Sequence, residues 1–138
     1  MKRILAIDFG LKRTGLAITD ENNIIASGLK TVDSKTLMKE LISIVDEKNI
    51  GTIVLGEPKR LNLKDAHSSE NVRQLKLALD KQFPTIQIEL MDERFTSKLA
   101  VQSLVLGGVA KNKRRDKALI DEVSATIILQ SYMQQKGI

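Results

Sequence analysis

Three acidic residues, Asp8, Glu93 and Asp121, stand at points of the sequence where a carboxylate could bind a metal ion. Asp8 ends a nearly continuous apolar run, and a lone carboxylate at the end of a buried strand is costly unless it is paired or binds a cation. Gly10 and Gly15 allow the backbone to turn tightly and to approach a ligand closely. A plain β-turn with a capping aspartate explains the same residues equally well.

The second acid belongs to an adjacent pair, Asp92 and Glu93, which follows a predicted strand and precedes a helix cap at Thr96. Binding sites in open α/β sheets gather at strand ends. Successive side chains of a strand point to opposite faces, so only one of the two carboxylates should join Asp8. A surface turn in which Arg94 is the ion partner is the alternative interpretation.

The third acid, Asp121, lies near the start of the last predicted helix. Ser124 and Ala125 follow on roughly the same helical face. Such small side chains would let the start of the helix pack close to the sheet. An acidic residue in the first turn is also stabilised by the helix dipole alone, and that explanation requires no ligand.

Taken together, the three carboxylates are typical of a site for Mg²⁺ or Mn²⁺. Oxygen ligands suit these ions, and the absence of cysteine and of any histidine cluster argues against zinc. Two such ions, about 4 Å apart, stabilise the attacking and leaving oxygens of a phosphodiester displacement. Sequence spacing does not show whether the three acids converge.

Basic residues near these acids could contact the phosphate groups of a nucleic acid. Lys12 and Arg13 lie on the turn after Asp8, and Arg94 follows the acidic pair. The segment 111–117 carries five positive charges and one negative charge in a chain of net charge +5. A solvated surface loop is the alternative for this segment. Its candidate phosphate contacts are Lys113, Arg114 and Arg115.

The pattern of apolar residues predicts which elements position these side chains. Three strands with short turns come first, which favours an antiparallel meander, and helical and strand periods then alternate. The order predicts an α/β fold: a mixed five-stranded sheet, with three antiparallel strands followed by αβαβα, and helices on both faces. The predicted strands are 3–9, 14–19, 24–31, 52–55 and 86–91; the helices are one after Asp33 or Ser34, one capped by Ser68 or Ser69, one from Thr96 to Gly107, and one at about 119–134.

Length and composition limit the possible classes of protein. The 138 residues predict one domain, 1–138, and the 42% hydrophobic residues are enough for a globular core. Aromatic residues are only 3%, which weakens any site built on base stacking. No apolar run approaches the roughly 20 residues of a spanning helix. The absence of cysteine fits a cytoplasmic protein, and no association with a membrane is expected.

Four segments of the sequence resemble the motifs of the YqgF family, also called RuvX, of the ribonuclease H-like superfamily. They occur in the family's order and span nearly the whole chain. The resemblance implies a ribonuclease H-like fold and an acidic, divalent-metal nuclease site made of Asp8, Glu93 and Asp121. The segments are 4–10 (ILAIDFG) with Arg13 and Gly15, 53–58 (IVLGEP), 92–96 (DERFT) and 121–130 (DEVSATIILQ).

Two positions depart from the family pattern. The loop at 57–67 lacks the usual Asp-Gly pair, which puts its substrate contacts in question. Ser124 stands where the family usually has alanine, a nearly isosteric change.

The resemblance implies a cytoplasmic bacterial hydrolase of ribosome biogenesis that matures the 5′ end of 16S rRNA and acts on structured RNA or on ribosomal precursor particles. A resolvase of branched, four-way DNA with the same chemistry is the alternative, and it would call for a two-fold dimer. A non-catalytic module that binds nucleic acid or ribosomes is a third interpretation. Phosphoryl transfer from ATP is a fourth, because the segment 8–15 also resembles the first phosphate loop of actin-like and sugar kinases. The sequence does not indicate the oligomeric state.

Overall fold

Five strands form one mixed sheet in the computed structural model, which describes residues 2–57, 63–92 and 117–138. The strands are β1 (Arg3–Asp8), β2 (Arg13–Thr19), β3 (Ala26–Asp33), β4 (Ile50–Glu57) and β5 (Gln87–Asp92). Their order in the sheet is β3-β2-β1-β4-β5. The central strand β1 pairs antiparallel with β2 and parallel with β4; β2 and β3 are antiparallel, and β4 and β5 are parallel. The predicted α/β fold, with three antiparallel strands followed by parallel ones, is therefore confirmed.

Among the described residues, three α-helices connect or follow these strands: α1 (Leu37–Lys48), α2 (Leu63–Gln82) and α3 (Lys117–Lys136). Asn49 ends α1 in the left-handed conformation, with φ of 55°, which asparagine adopts more readily than most residues. No described helix combines the length and the apolar character needed to cross a membrane. The helix predicted from Thr96 to Gly107 lies outside the described residues.

Helices cover both faces of the sheet, as the sequence predicts. Leu5 and Ile7 of β1 pack in a core with α1 and α2, whereas Ile4 and Ala6 pack on the opposite side with α3. Every residue from Ile4 to Ile7 is buried, which explains the unbroken apolar run in the sequence. The same alternation decides which face each strand-end side chain occupies.

The carboxyl half of α3 is held on β5 by a polar contact. The Tyr132 hydroxyl donates a short hydrogen bond to Glu89, and Lys136 lies 3.5 Å from the other carboxylate oxygen of Glu89. Tyr132 is almost completely buried. This contact fixes the end of α3 that is distant from Asp121.

Several predicted boundaries are wrong by a few residues. Asp33 caps a short 3-10 helix, Ser34–Thr36, rather than α1 itself. The predicted caps Ser68 and Ser69 lie inside α2, which begins at Leu63. β4 continues through Glu57, which the sequence places in a loop, because pairing with β5 extends the ladder to Asp92.

Candidate metal centre

Asp8 and Asp121 both lie next to Gly15. Asp8 is the last residue of β1 and lies directly opposite Gly15 on antiparallel β2. A Cβ atom added to Gly15 would lie 2.1 Å from the backbone oxygen of Asp121 and 3.0 Å from its Cβ. The absence of a side chain at Gly15 therefore lets the first turns of α3 sit against β2. Helix α3 thereby places Asp121 beside the strand pair β1 and β2, of which β1 carries Asp8.

Strand alternation places Asp8 on the same face as α3. Ile4 and Ala6 pack beneath α3, and Asp8 continues that even-numbered series. Gly15 shares the face of Ala17, which also packs beneath α3. The two predicted carboxylates thus belong to one side of the sheet.

Arg13 contacts Asp121 directly. Its Nε atom lies 3.2 Å from Oδ2 of Asp121, and the two side chains are 40% and 24% exposed. The sequence predicts a phosphate contact for Arg13, and the structure gives it a carboxylate partner within the protein. Lys12, next to it, is exposed on the turn between β1 and β2.

The turn that carries Lys12 and leads into Arg13, the first residue of β2, is fixed by hydrogen bonds from the start of the 3-10 helix. The Ser34 hydroxyl donates to the backbone oxygen of Gly10 at 2.6 Å and lies 2.8 Å from the hydroxyl of Thr14. A Cβ atom at Gly10 would lie 2.4 Å from the backbone oxygen of Arg13, so the tight turn needs glycine there, as predicted.

Glu57 is a buried carboxylate at the same edge of the sheet that sequence reasoning did not single out. It ends β4, its side chain is 7% exposed, and its Oε1 accepts a hydrogen bond from Arg73 of α2 at 3.2 Å. Glu57 follows the odd-numbered series of Ile53 and Leu55, which packs against α1 and α2. It therefore faces away from Asp8 and Asp121. The sequence signal for Glu57 is that it lies level with Asp92 at the ends of two parallel strands, β4 and β5.

The remaining predicted site residues lie outside the described part of the chain: Glu93, Arg94, Lys113, Arg114 and Arg115. Within 2–57, 63–92 and 117–138, no group of three or more acidic or histidine side chains is arranged to hold a metal ion. Of the three predicted acids, Asp8 and Asp121 lie among the described residues. The three-acid site stays a prediction.

The chemistry of the described donors fits a hard divalent cation. Asp8 and Asp121 offer carboxylate oxygens, which Mg²⁺ and Mn²⁺ prefer. The Ser124 hydroxyl, one turn after Asp121, is buried and has no hydrogen-bond partner among the described residues.

Almost the entire chain matches a known protein family. Residues 2–135 match the family model described as "RuvX: Holliday junction resolvase". A protein of Porphyromonas gingivalis is 50% identical over 96% of this chain and 96% of its own length. A protein of Christiangramia forsetii is 48% identical over 98% of this chain and all of its own length. Both are named "Putative pre-16S rRNA nuclease".

Solved structures show the same fold at low sequence identity. RuvC of T. thermophilus in complex with a Holliday junction substrate superposes with a TM-score of 0.62 at 13% identity, covering 99% of this chain and 97% of that one. A second Thermus thermophilus RuvC structure gives a TM-score of 0.54 at 12% identity, with coverage of 98% and 96%. The ribonuclease H-like fold predicted from the sequence is therefore confirmed.

Proposed function

Because this chain belongs to the RuvX family, we propose that it is a divalent-metal-dependent endonuclease that hydrolyses phosphodiester bonds during maturation of the 5′ end of 16S rRNA. The observation that carries the proposal is that Asp8 and Asp121 both adjoin Gly15, on the face covered by α3. The names of the close relatives support RNA as the substrate. The proposed enzyme is the single domain 1–138, acting in the cytoplasm on ribosomal precursor particles.

Asp8 and Asp121 would hold Mg²⁺ or Mn²⁺, with Glu93 as the third carboxylate. Glu93 is proposed because it belongs to the segment 92–96 (DERFT), which resembles a motif of the family. The bound cation would stabilise negative charge on the phosphate and lower the pKa of a water molecule.

Basic side chains would hold the nucleic acid backbone beside these carboxylates. Lys12 lies on the turn that follows Asp8, Arg13 begins β2 directly after it, and the turn is fixed by Ser34. Arg94, Lys113, Arg114 and Arg115 are proposed as further phosphate contacts. Such contacts position a backbone without reading its sequence.

Resolution of four-way DNA junctions is the second candidate, favoured by the description of the matching family. Symmetric cutting of two strands calls for a two-fold dimer. The two candidates share the metal centre and differ in the shape of the substrate and in the oligomeric state.

Cleavage of a panel of substrates tests the proposal. The panel contains a 16S precursor 5′ segment and a four-way DNA junction, each with Mg²⁺, with Mn²⁺ and with chelator. We expect metal-dependent cleavage of the RNA that falls at least about 100-fold in Asp8→Asn. Asp46→Asn, the same change on the exposed surface of α1, is the matched control and should cleave like the wild type.

Each other outcome contradicts a defined part of the proposal. Cleavage of the junction alone would favour the resolvase. Binding that survives Asp8→Asn, without metal-dependent cleavage by the wild type, would show a non-catalytic binding module.

A further inference from the structure

Arg13 and Asp121 form an ion pair at the place where the proposed function puts a metal ion. The guanidinium Nε lies 3.2 Å from Oδ2 of Asp121, and Asp121 is the more buried of the two side chains. A guanidinium keeps its positive charge at physiological pH. The carboxylate is therefore already neutralised by a group of the chain itself.

The backbone on either side of this pair is fixed, whereas the arginine side chain is not. The backbone of Arg13 is fixed because it pairs with Asp33 of the neighbouring strand β3 and is followed by the buried Thr14. Asp121 is held by the contact of its backbone with Gly15. The Arg13 side chain is 40% exposed, so it can leave the carboxylate by rotation about its own bonds.

We propose that Arg13 is a built-in counter-ion that competes with the divalent cation for Asp121 and is released toward the substrate phosphate when the cation binds. The inference rests on the proposed function, since it assumes that Asp121 binds metal. It assigns Arg13 two successive partners: a carboxylate of the protein in the metal-free state and a phosphate oxygen in the loaded state.

The competition has a measurable sign. A positive charge beside the metal position lowers affinity for a dication, both by repulsion and by occupying a ligand oxygen. Two charges of +2 and +1 about 6 Å apart in water-like surroundings repel enough to change an affinity roughly three- to tenfold after partial screening by salt. Removing Arg13 should therefore strengthen metal binding while it weakens binding of nucleic acid.

Calorimetric titration with Mn²⁺ tests this in the absence of nucleic acid. We expect Arg13→Gln to bind Mn²⁺ roughly three- to tenfold more tightly than the wild type. Lys12→Gln is the matched control, because it removes the same charge from the neighbouring exposed residue without touching Asp121, and should change the affinity less than about twofold. Unchanged or weaker binding by Arg13→Gln would overturn the inference and leave the metal site intact.

A second measurement uses the unmodified protein and does not depend on folding of the variant. The NMR signal of the Arg13 Nε–Hε group should shift when Mg²⁺ saturates the protein, since the group loses its carboxylate partner. A signal that does not move at saturation overturns the release of Arg13. Absence of saturable Mn²⁺ binding in the wild type and in Arg13→Gln alike overturns the metal centre itself, and with it this inference.

Discussion

Gly15→Ala should disrupt the candidate centre without changing any charged or polar group. The added Cβ would lie 2.1 Å from the backbone oxygen of Asp121 and 2.4 Å from its carbonyl carbon. These are atoms of a helix backbone, which cannot rotate aside as the end of a side chain can. The start of α3 would have to withdraw from β2 by about 1 Å to reach an ordinary contact.

Two consequences follow from that displacement. Overpacking against a rigid neighbour typically destabilises a protein by about 1–3 kcal/mol, and we expect the upper half of that range because both partners are backbone. For a chain of this size the melting temperature should fall by roughly 6–12 °C. Misplacement of Asp121 by about 1 Å should weaken Mn²⁺ binding by about tenfold or more, since metal ligands tolerate only small errors of position.

Gly28→Ala is the matched control on the neighbouring strand beneath the same helix. A Cβ atom at Gly28 would lie 3.5 Å from Cβ of Glu122 and from the hydroxyl of Thr126, which is ordinary van der Waals contact. Its stability should stay within about 1 kcal/mol of the wild type. Thermal melting and Mn²⁺ titration of both variants decide the matter. A Gly15→Ala protein that melts like the control and binds Mn²⁺ like the wild type would refute the reasoning.

Three other perturbations test separate parts of the structure. Ser124→Ala should raise the free energy of unfolding by about 1 kcal/mol, because it removes a buried hydroxyl with no partner among the described residues; a lower urea midpoint would show that the hydroxyl is satisfied. Burial, together with the hydrogen bond to Glu89 and the charge of Glu89, raises the pKa of Tyr132 to about 12. The neutral phenol therefore contributes its full stabilisation below pH 10. As the pH rises from 10 to 12, the free energy of unfolding should fall by about 1.4 kcal/mol per pH unit. Tyr132 is the single tyrosine, so phenolate absorbance reports its ionisation directly, and a midpoint near pH 10 in the folded protein would contradict the buried contact. Arg73→Met should destabilise the protein by about 1 kcal/mol, because it removes a largely exposed cation from the buried carboxylate of Glu57; an unchanged urea midpoint would show that other groups neutralise that carboxylate.

The architecture was predictable from the sequence because its signals are local. The apolar run of β1 predicts a strand covered on both faces, and Ile4 to Ile7 are all buried. The change from short strands to alternating helices and strands after Asp33 predicts a mixed sheet. The position of Asp8 at the end of β1 was predictable for the same reason, and its role in a site stays a prediction.

The details of the site depend on contacts between distant parts of the chain, which no local pattern contains. The predicted close approach at Gly15 exists, but it is to the backbone of α3 rather than to a ligand. The pairing of Arg13 with Asp121 depends on how α3 lies over β2. The sequence places Glu57 in a loop because Gly56 interrupts the apolar run, whereas pairing with β5 extends the strand. Glu93, Arg94, Lys113, Arg114 and Arg115 stay predictions.

The contact between Gly15 and Asp121 also has a consequence for the order in which the protein matures. It joins the second strand to the last helix, so it has a long sequence separation and cannot form before α3 has been synthesised. A growing chain on the ribosome can form the antiparallel strands early, but it lacks one of the two described carboxylates until α3 docks. We therefore expect a chain that ends before Lys117 to bind no Mn²⁺ at this centre, and saturable binding by such a chain would contradict this. The nuclease that we propose would be inert toward RNA while it is being synthesised.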